Sequence, residues 1–129
     1  MSYNNLYNYS SNNKPTIINN NKVLIKVDTS SNYYINITLN DFNKIYDFLV
    51  VNSKDIYLPI INNNLFIGFT MKILNVSGHT INIYSQDNQL IYSMLYLPKQ
   101  GSITIVQNSN SLFMFCVIKK SNLFSWIMV

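Results

Sequence analysis

The sequence predicts an all-β fold: one antiparallel sandwich, jelly-roll-like, over residues 22–129, behind an extended N-terminal arm of residues 1–21. The first observation is rhythm. Between residues 55 and 118 short apolar runs alternate with polar pairs, and Asn, Ser, Gly or Pro interrupts them about every eight to twelve residues. That is the spacing of short strands in a sandwich or barrel. The second is side-chain type, since the β-branched and aromatic residues that fill these runs suit a pleated, half-buried surface. The third is size. With 129 residues, 48% of them hydrophobic and 11% charged, the chain can build one core and has no room for two ordinary domains.

Residues 1–21 are low-complexity Asn, Tyr and Ser, with too little aliphatic surface to offset the entropy of ordering. They read as a loose tail or as an arm that orders against a partner, with Leu6, Tyr7, Tyr9, Ile17 and Ile18 as its contact points. Residues 22–27 form a first strand, and 28–32 a turn in which Asp and Ser side chains bond nearby backbone. Residues 33–39 alternate, placing Tyr33, Ile35, Ile37 and Leu39 on one face. Residues 40–51 admit two readings. Phe42, Ile45, Phe48 and Leu49 fall near helical spacing after a capping Asn or Asp. Alternatively 41–43 turn and 44–51 form a strand, which the β surroundings favour.

Residues 55–61 form a strand interrupted by Pro59, which lacks the ladder donor and so belongs at an edge or strand end. Residues 65–76 read as the longest strand, with Ile67, Phe69, Met71 and Ile73 sharing a face. A tight turn at 75–78 follows, Gly78 offering positive φ, and 80–84 return with Ile81 and Ile83 inward. Turns at 86–88, 98–101 and 108–110 separate strands over 90–97, 102–106 and 112–118, and 124–129 close the chain.

Residues 112–118 break the alternation. Leu112, Met114, Cys116 and Ile118 make one face apolar, and Phe113, Phe115 and Val117 the other. A strand apolar on both sides must be covered on both sides. A lone sandwich of this length leaves one face wet, so another subunit is expected to cover it. Leu112, Phe113, Met114, Phe115 and Val117 are the candidate oligomer interface.

Ala, Arg and Glu are absent, while Asn and Ile supply nearly a third of the chain. This is the imprint of AT-rich codons, and it makes any motif built on Asn or Lys cheap background. The net charge of +4 comes from scattered lysines, and without Arg there is no bidentate fork for phosphate or guanine. A solvated surface is expected, not a nucleic-acid site. The single cysteine, Cys116, excludes an intramolecular disulfide. With no leader-like start and no run of about 20 apolar residues, a soluble protein of a reducing compartment without a membrane span is expected.

Read in order, these elements resemble a known kind of module. The run Tyr34-Ile-Asn-Ile-Thr38 is followed by Asp41 and Lys44, then by Asn52-Ser53 and Ile56-Tyr-Leu-Pro59. Next come Gly68-Phe-Thr-Met-Lys-Ile-Leu-Asn75, Ser77-Gly78, Thr80-Ile-Asn-Ile83 and Pro98-Lys-Gln-Gly101-Ser-Ile-Thr-Ile-Val106. Together they are similar to the small β-modules at bacteriophage fibre tips and on the surface proteins of large DNA viruses. Ser125-Trp126 is similar to the Asn-Trp near the end of those modules, although an inserted Lys119-Lys120-Ser-Asn precedes it. The resemblance covers around two-thirds of the chain. It implies a homotrimeric, non-enzymatic virion structural protein: a capsid decoration, cap or fibre head, made in the host cytoplasm. Its partners would be its own copies and other capsid proteins, and no cofactor is implied.

Chemistry of other kinds finds little footing. A Cys–His dyad needs Cys116 beside His79, yet one lies in the most apolar strand and the other in a turn. The five aspartates, 28, 41, 47, 55 and 87, stand singly and mostly at turns, where Asp caps or turns the chain. One His and one Cys nearly exclude a zinc site within one chain. An alternative reading is a lectin-like, host-attachment domain that binds glycan, with Tyr84 and Trp126 as stacking platforms. Tyrosines placed only for their fit to a strand are the competing explanation.

Overall fold

The computed structural model describes the backbone of residues 15–17 and residues 21–93 and 101–129. They form two sheets. The larger has seven strands in the order β1-β2-β4-β6-β10-β11-β8, and the smaller has four in the order β3-β5-β7-β9. Their spans are β1 Pro15–Ile17, β2 Lys22–Asp28, β3 Tyr33–Tyr34, β4 Ile45–Asn52, β5 Asp55–Tyr57, β6 Thr70–Asn75, β7 Ile81–Tyr84, β8 Ile91–Ser93, β9 Thr104–Gln107, β10 Ser111–Lys120 and β11 Leu123–Met128. The all-β, two-sheet architecture agrees with the sequence pattern.

The pairing does not follow the antiparallel expectation. From β2 to β7 the chain crosses from one sheet to the other at every strand. Each strand then lies parallel to the one two earlier: β4 on β2, β6 on β4, β5 on β3 and β7 on β5. Parallel neighbours need a crossover of about a dozen residues or more. Here the crossover is a strand in the opposite sheet, so the turn residues mark passages between sheets instead of hairpins. One circuit takes roughly two dozen residues, and equivalent side chains stack across strands, as in Val23–Tyr46–Met71 and Tyr34–Tyr57–Tyr84. Antiparallel strands close the winding, with β9 on β7 and β10 on β6. The β10–β11 hairpin turns on Ser121 and Asn122, both at positive φ, the geometry of a two-residue loop that matches strand twist.

Residues 40–51 resolve as a 3-10 turn at Leu39–Asp41 followed by β4. Two long strands are shorter than their patterns suggest. Only Tyr33–Tyr34 pair in the 33–39 run; Ile35 stays buried, whereas Leu39 enters the turn and is exposed. A second 3-10 turn, Asn64–Phe66, is started by Asn63, whose Oδ1 accepts the Leu65 N–H at 2.9 Å. Gly68 at φ +87 then redirects the chain, so Ile67 is exposed and β6 begins only at Thr70. Phe66 and Phe69 enter the core instead, ring edge to ring face.

The core fills the space between the sheets. Val23, Ile25, Val27, Phe48, Val50, Met71 and Ile73 of the larger sheet meet Ile56, Ile81 and Ile83 of the smaller, and Trp126 and Met128 extend it into β11. Phe115 and Val117 belong to this core, 0% and 1% exposed, and Phe113 packs against it. Phe115 and Val117 are thus covered by the chain's own core and are not available as interface residues, while Phe113 is half-buried at its margin. Of the arm, Leu6, Tyr7, Tyr9 and Ile18 lie outside the described residues, and Ile17 ends β1, paired with Val23. Residues 94–100, which carry much of the expected 90–97 strand and 98–101 turn, also lie outside them.

Candidate functional site

Three surfaces gather side chains that the core does not use. On the outer face of the larger sheet, Leu112 of β10 is 57% exposed and stands in register with Leu74 of β6, which stands beside Leu49 of β4. Met114 occupies the next outward row with Lys72 and Asp47, and Leu24, at the far end of that row, is 2% exposed. A shallow groove of about 190 Å³ is lined by Leu24, Asp47, Leu49, Lys72, Leu74 and Leu112. Cys116 and Ile118 continue the outward face and are half-buried. Of the five candidate interface residues, Leu112 and Met114 thus face outward, and Phe113, Phe115 and Val117 face the other way.

The outer face of the smaller sheet carries a row of tyrosines. Tyr34 stacks on Tyr57 with centroids 4.3 Å apart and planes at 11°, and Tyr57 on Tyr84 at 4.9 Å and 19°. Parallel register puts them side by side, because the circuit returns the same face of each strand to the same place. Partial loss of water, then the neighbouring Tyr34, Tyr84 and Asp55, hold the Tyr57 phenol above its ordinary pKa. Tyr84 is half-exposed as a glycan platform requires, but one ring face is already taken by Tyr57. Trp126 is 0% exposed, so it cannot stack on a sugar. Sequence distance hid this: β11 runs alongside β10 and β8, and its Trp turns inward with Val117 and Ile91.

The third surface is a cleft of about 510 Å³ where three connections meet. Asn62 comes from the β5–β6 connection, Asp87 and Asn88 from the β7–β8 turn, Tyr92 from β8, and Lys120 and Asn122 from the β10–β11 hairpin. Gln89 braces two of these. Its Nε2 donates to the Ile61 carbonyl at 2.6 Å and its Oε1 accepts the Ile61 N–H at 3.1 Å. Gln86 Nε2 adds a bond to the Leu58 carbonyl at 2.7 Å. The Lys120 ammonium sits over the Tyr92 ring, 4.4 Å from its centroid. Nothing in the residue pattern marks this cleft, because its residues are background types drawn from segments far apart in the chain.

Elsewhere polar groups serve the fold. Asp41 is buried, and its carboxylate accepts the Thr38 N–H at 2.8 Å, the Tyr46 hydroxyl at 2.8 Å and the Lys44 ammonium at 3.2 Å. Burial alone would raise its pKa, but the Thr38 N–H, Tyr46 hydroxyl and Lys44 outweigh that and lower it. Burial and the Asp41 carboxylate raise the Tyr46 phenol in turn. Asn75, which begins an Asn-Val-Ser glycosylation pattern, is fully buried. Its Nδ2 reaches the carbonyls of His79, Gln107 and Asn108, and its Oδ1 accepts from Ser77. Cys116 lies beside Thr70 at the start of β6, and His79 lies beyond its end, about 17 Å of strand away. They form no dyad. Among the described residues, no three His, Cys, Asp or Glu side chains converge, and no helix is long and apolar enough to cross a membrane.

In comparisons with known proteins, no family model matches this chain, and neither a curated protein nor a solved structure matches it.

Proposed function

We propose that the chain is a non-enzymatic structural protein of a virion, a homotrimer that decorates or caps the capsid or forms a fibre head. The observation that carries this reading is the outer face of the larger sheet, where exposed Leu112 extends an apolar row through Leu74 and Leu49 beside a groove. Each Å² of such a face withdrawn from water contributes about 25 cal/mol. A second copy of the chain is its occupant, presenting a different patch in a head-to-tail contact, the kind that closes into a three-membered ring. The trimer and the capsid rest on the resemblance to fibre-tip and virus-surface modules. In that setting the arm, with Leu6, Tyr7, Tyr9, Ile17 and Ile18, ties the assembly to other capsid proteins.

Mass measurement in solution tests the proposal. Three times the chain's 15.0 kDa is expected, falling to one copy in Leu112→Asp while the far-ultraviolet spectrum stays unchanged. A monomer at every concentration tried would remove the assembly argument. Detection of the chain in mass spectra of purified particles tests the virion assignment.

A second reading is a glycan-binding attachment domain. The observation favouring it is the exposed aromatic and amide chemistry on the smaller sheet and at the loop end, Tyr34 and Tyr84 in the first case and Asn62, Asn88 and Asn122 in the second. Binding to a printed oligosaccharide array tests it.

A further inference from the structure

The geometry points to the cleft between the β7–β8 turn and the β10–β11 hairpin as a binding site for a neutral saccharide. This deepens the glycan-binding reading and rests on it, and it moves the site away from the tyrosine row.

Volume comes first. About 510 Å³ falls within the range of small-ligand clefts, roughly 300 to 1,000 Å³, whereas the tyrosine row is a flat surface whose rings already face one another. The lining is the second argument. Asn62, Asn88 and Asn122 offer amides that both donate and accept, and Asp87 offers a carboxylate that accepts. All four are exposed, and among the described residues their side chains have no hydrogen-bond partner. Vicinal hydroxyls, each a donor and an acceptor, satisfy such a set. Leu123 adds apolar wall for the C–H face of a sugar ring, and Phe124 and Tyr92 each offer the ring face that Lys119 and Lys120 do not cover.

Charge narrows the class. One carboxylate, Asp87, and one ammonium, Lys120, line the cleft, so a charged ligand of either sign meets one like charge. A neutral polyol meets none. Preorganisation is the last point: the two-sided Gln89 bond to Ile61 fixes the turn that carries Asp87 and Asn88, and the two-residue hairpin fixes Asn122. Little ordering cost then remains for binding.

The test uses the full chain on an array of neutral di- to tetrasaccharides printed beside their sialylated counterparts, with titration in solution of whichever binds. The variants are Asp87→Gly and Asn122→Gly, since both positions have positive φ and glycine removes the side chain without strain. Binding to neutral sugars that each variant weakens about tenfold, with melting temperature unchanged, is the expected result. Binding that survives both variants and is lost in Tyr84→Ser overturns the cleft and keeps the glycan reading. Binding confined to sialylated sugars overturns the neutral class. A blank array overturns both the reading and the site.

Discussion

Asp41 shows how one side chain can set a local structure and its response to acid. Its carboxylate caps the start of the Leu39–Asp41 turn by accepting the Thr38 N–H, and it anchors the start of β4 through the Tyr46 hydroxyl. The native state holds its pKa below the ordinary carboxylate value, near 3.9 in an unfolded chain. A depressed native pKa stabilises the fold fully above the unfolded value and ceases to do so as pH falls through the native one. Asp41→Asn is therefore expected to cost about 1 to 2 kcal/mol at neutral pH, allowing for the water that still reaches Lys44. That deficit should shrink below about pH 4, where the wild-type carboxyl protonates too. Urea titrations followed by Trp126 fluorescence between pH 7 and pH 3 measure it. A deficit constant across that range would mean that the charge is immaterial. The sequence marks Asp41 as a turn residue but not as a buried hub, because Tyr46 lies across a turn whose path only the fold defines.

Strand β10 separates what alternation reveals from what it conceals. Period-2 reading correctly assigns Leu112, Met114, Cys116 and Ile118 to one face and Phe113, Phe115 and Val117 to the other. It cannot say which face meets the chain's own second sheet. The same limit applies to the pairing: a strand that alternates looks identical whether its neighbours run parallel or antiparallel, and turn residues carry the chain between sheets as readily as they close hairpins. The two faces should answer mutation differently. Phe115→Ala, at 0% exposure, is expected to destabilise the isolated chain by about 3 to 5 kcal/mol, and Leu112→Ala by less than about 0.5 kcal/mol. Denaturant midpoints measured at low concentration, where association does not contribute, distinguish them. Equal losses would place both side chains in the core and refute the orientation of β10.

At the scale of the molecule, the winding makes most of the structure depend on partners distant in sequence. Val23, Tyr46 and Met71 become neighbours only when two full circuits are complete, and Phe115 joins beside Met71 from farther still. The parallel circuits have no local hairpin to start from, so stability should be graded by position in the sheet. Strands β4 and β6 are flanked on both sides along the larger sheet, whereas β1 and β8 are its edges. Amides that open only with global unfolding exchange slowest, and edge strands fray at far lower cost. Hydrogen exchange read by mass spectrometry is expected to leave β4 and β6 protected longest and β1 and β8 shortest. The bond from Val76 N–H to the Val50 carbonyl extends the slow zone beyond the end of β6. If β1 proved as slow as β4, the segment around Ile17 would be an integral strand of the fold and unavailable as an anchor. If the smaller sheet outlasted β4 and β6, the stabilising centre would lie at the tyrosine row instead of between the sheets.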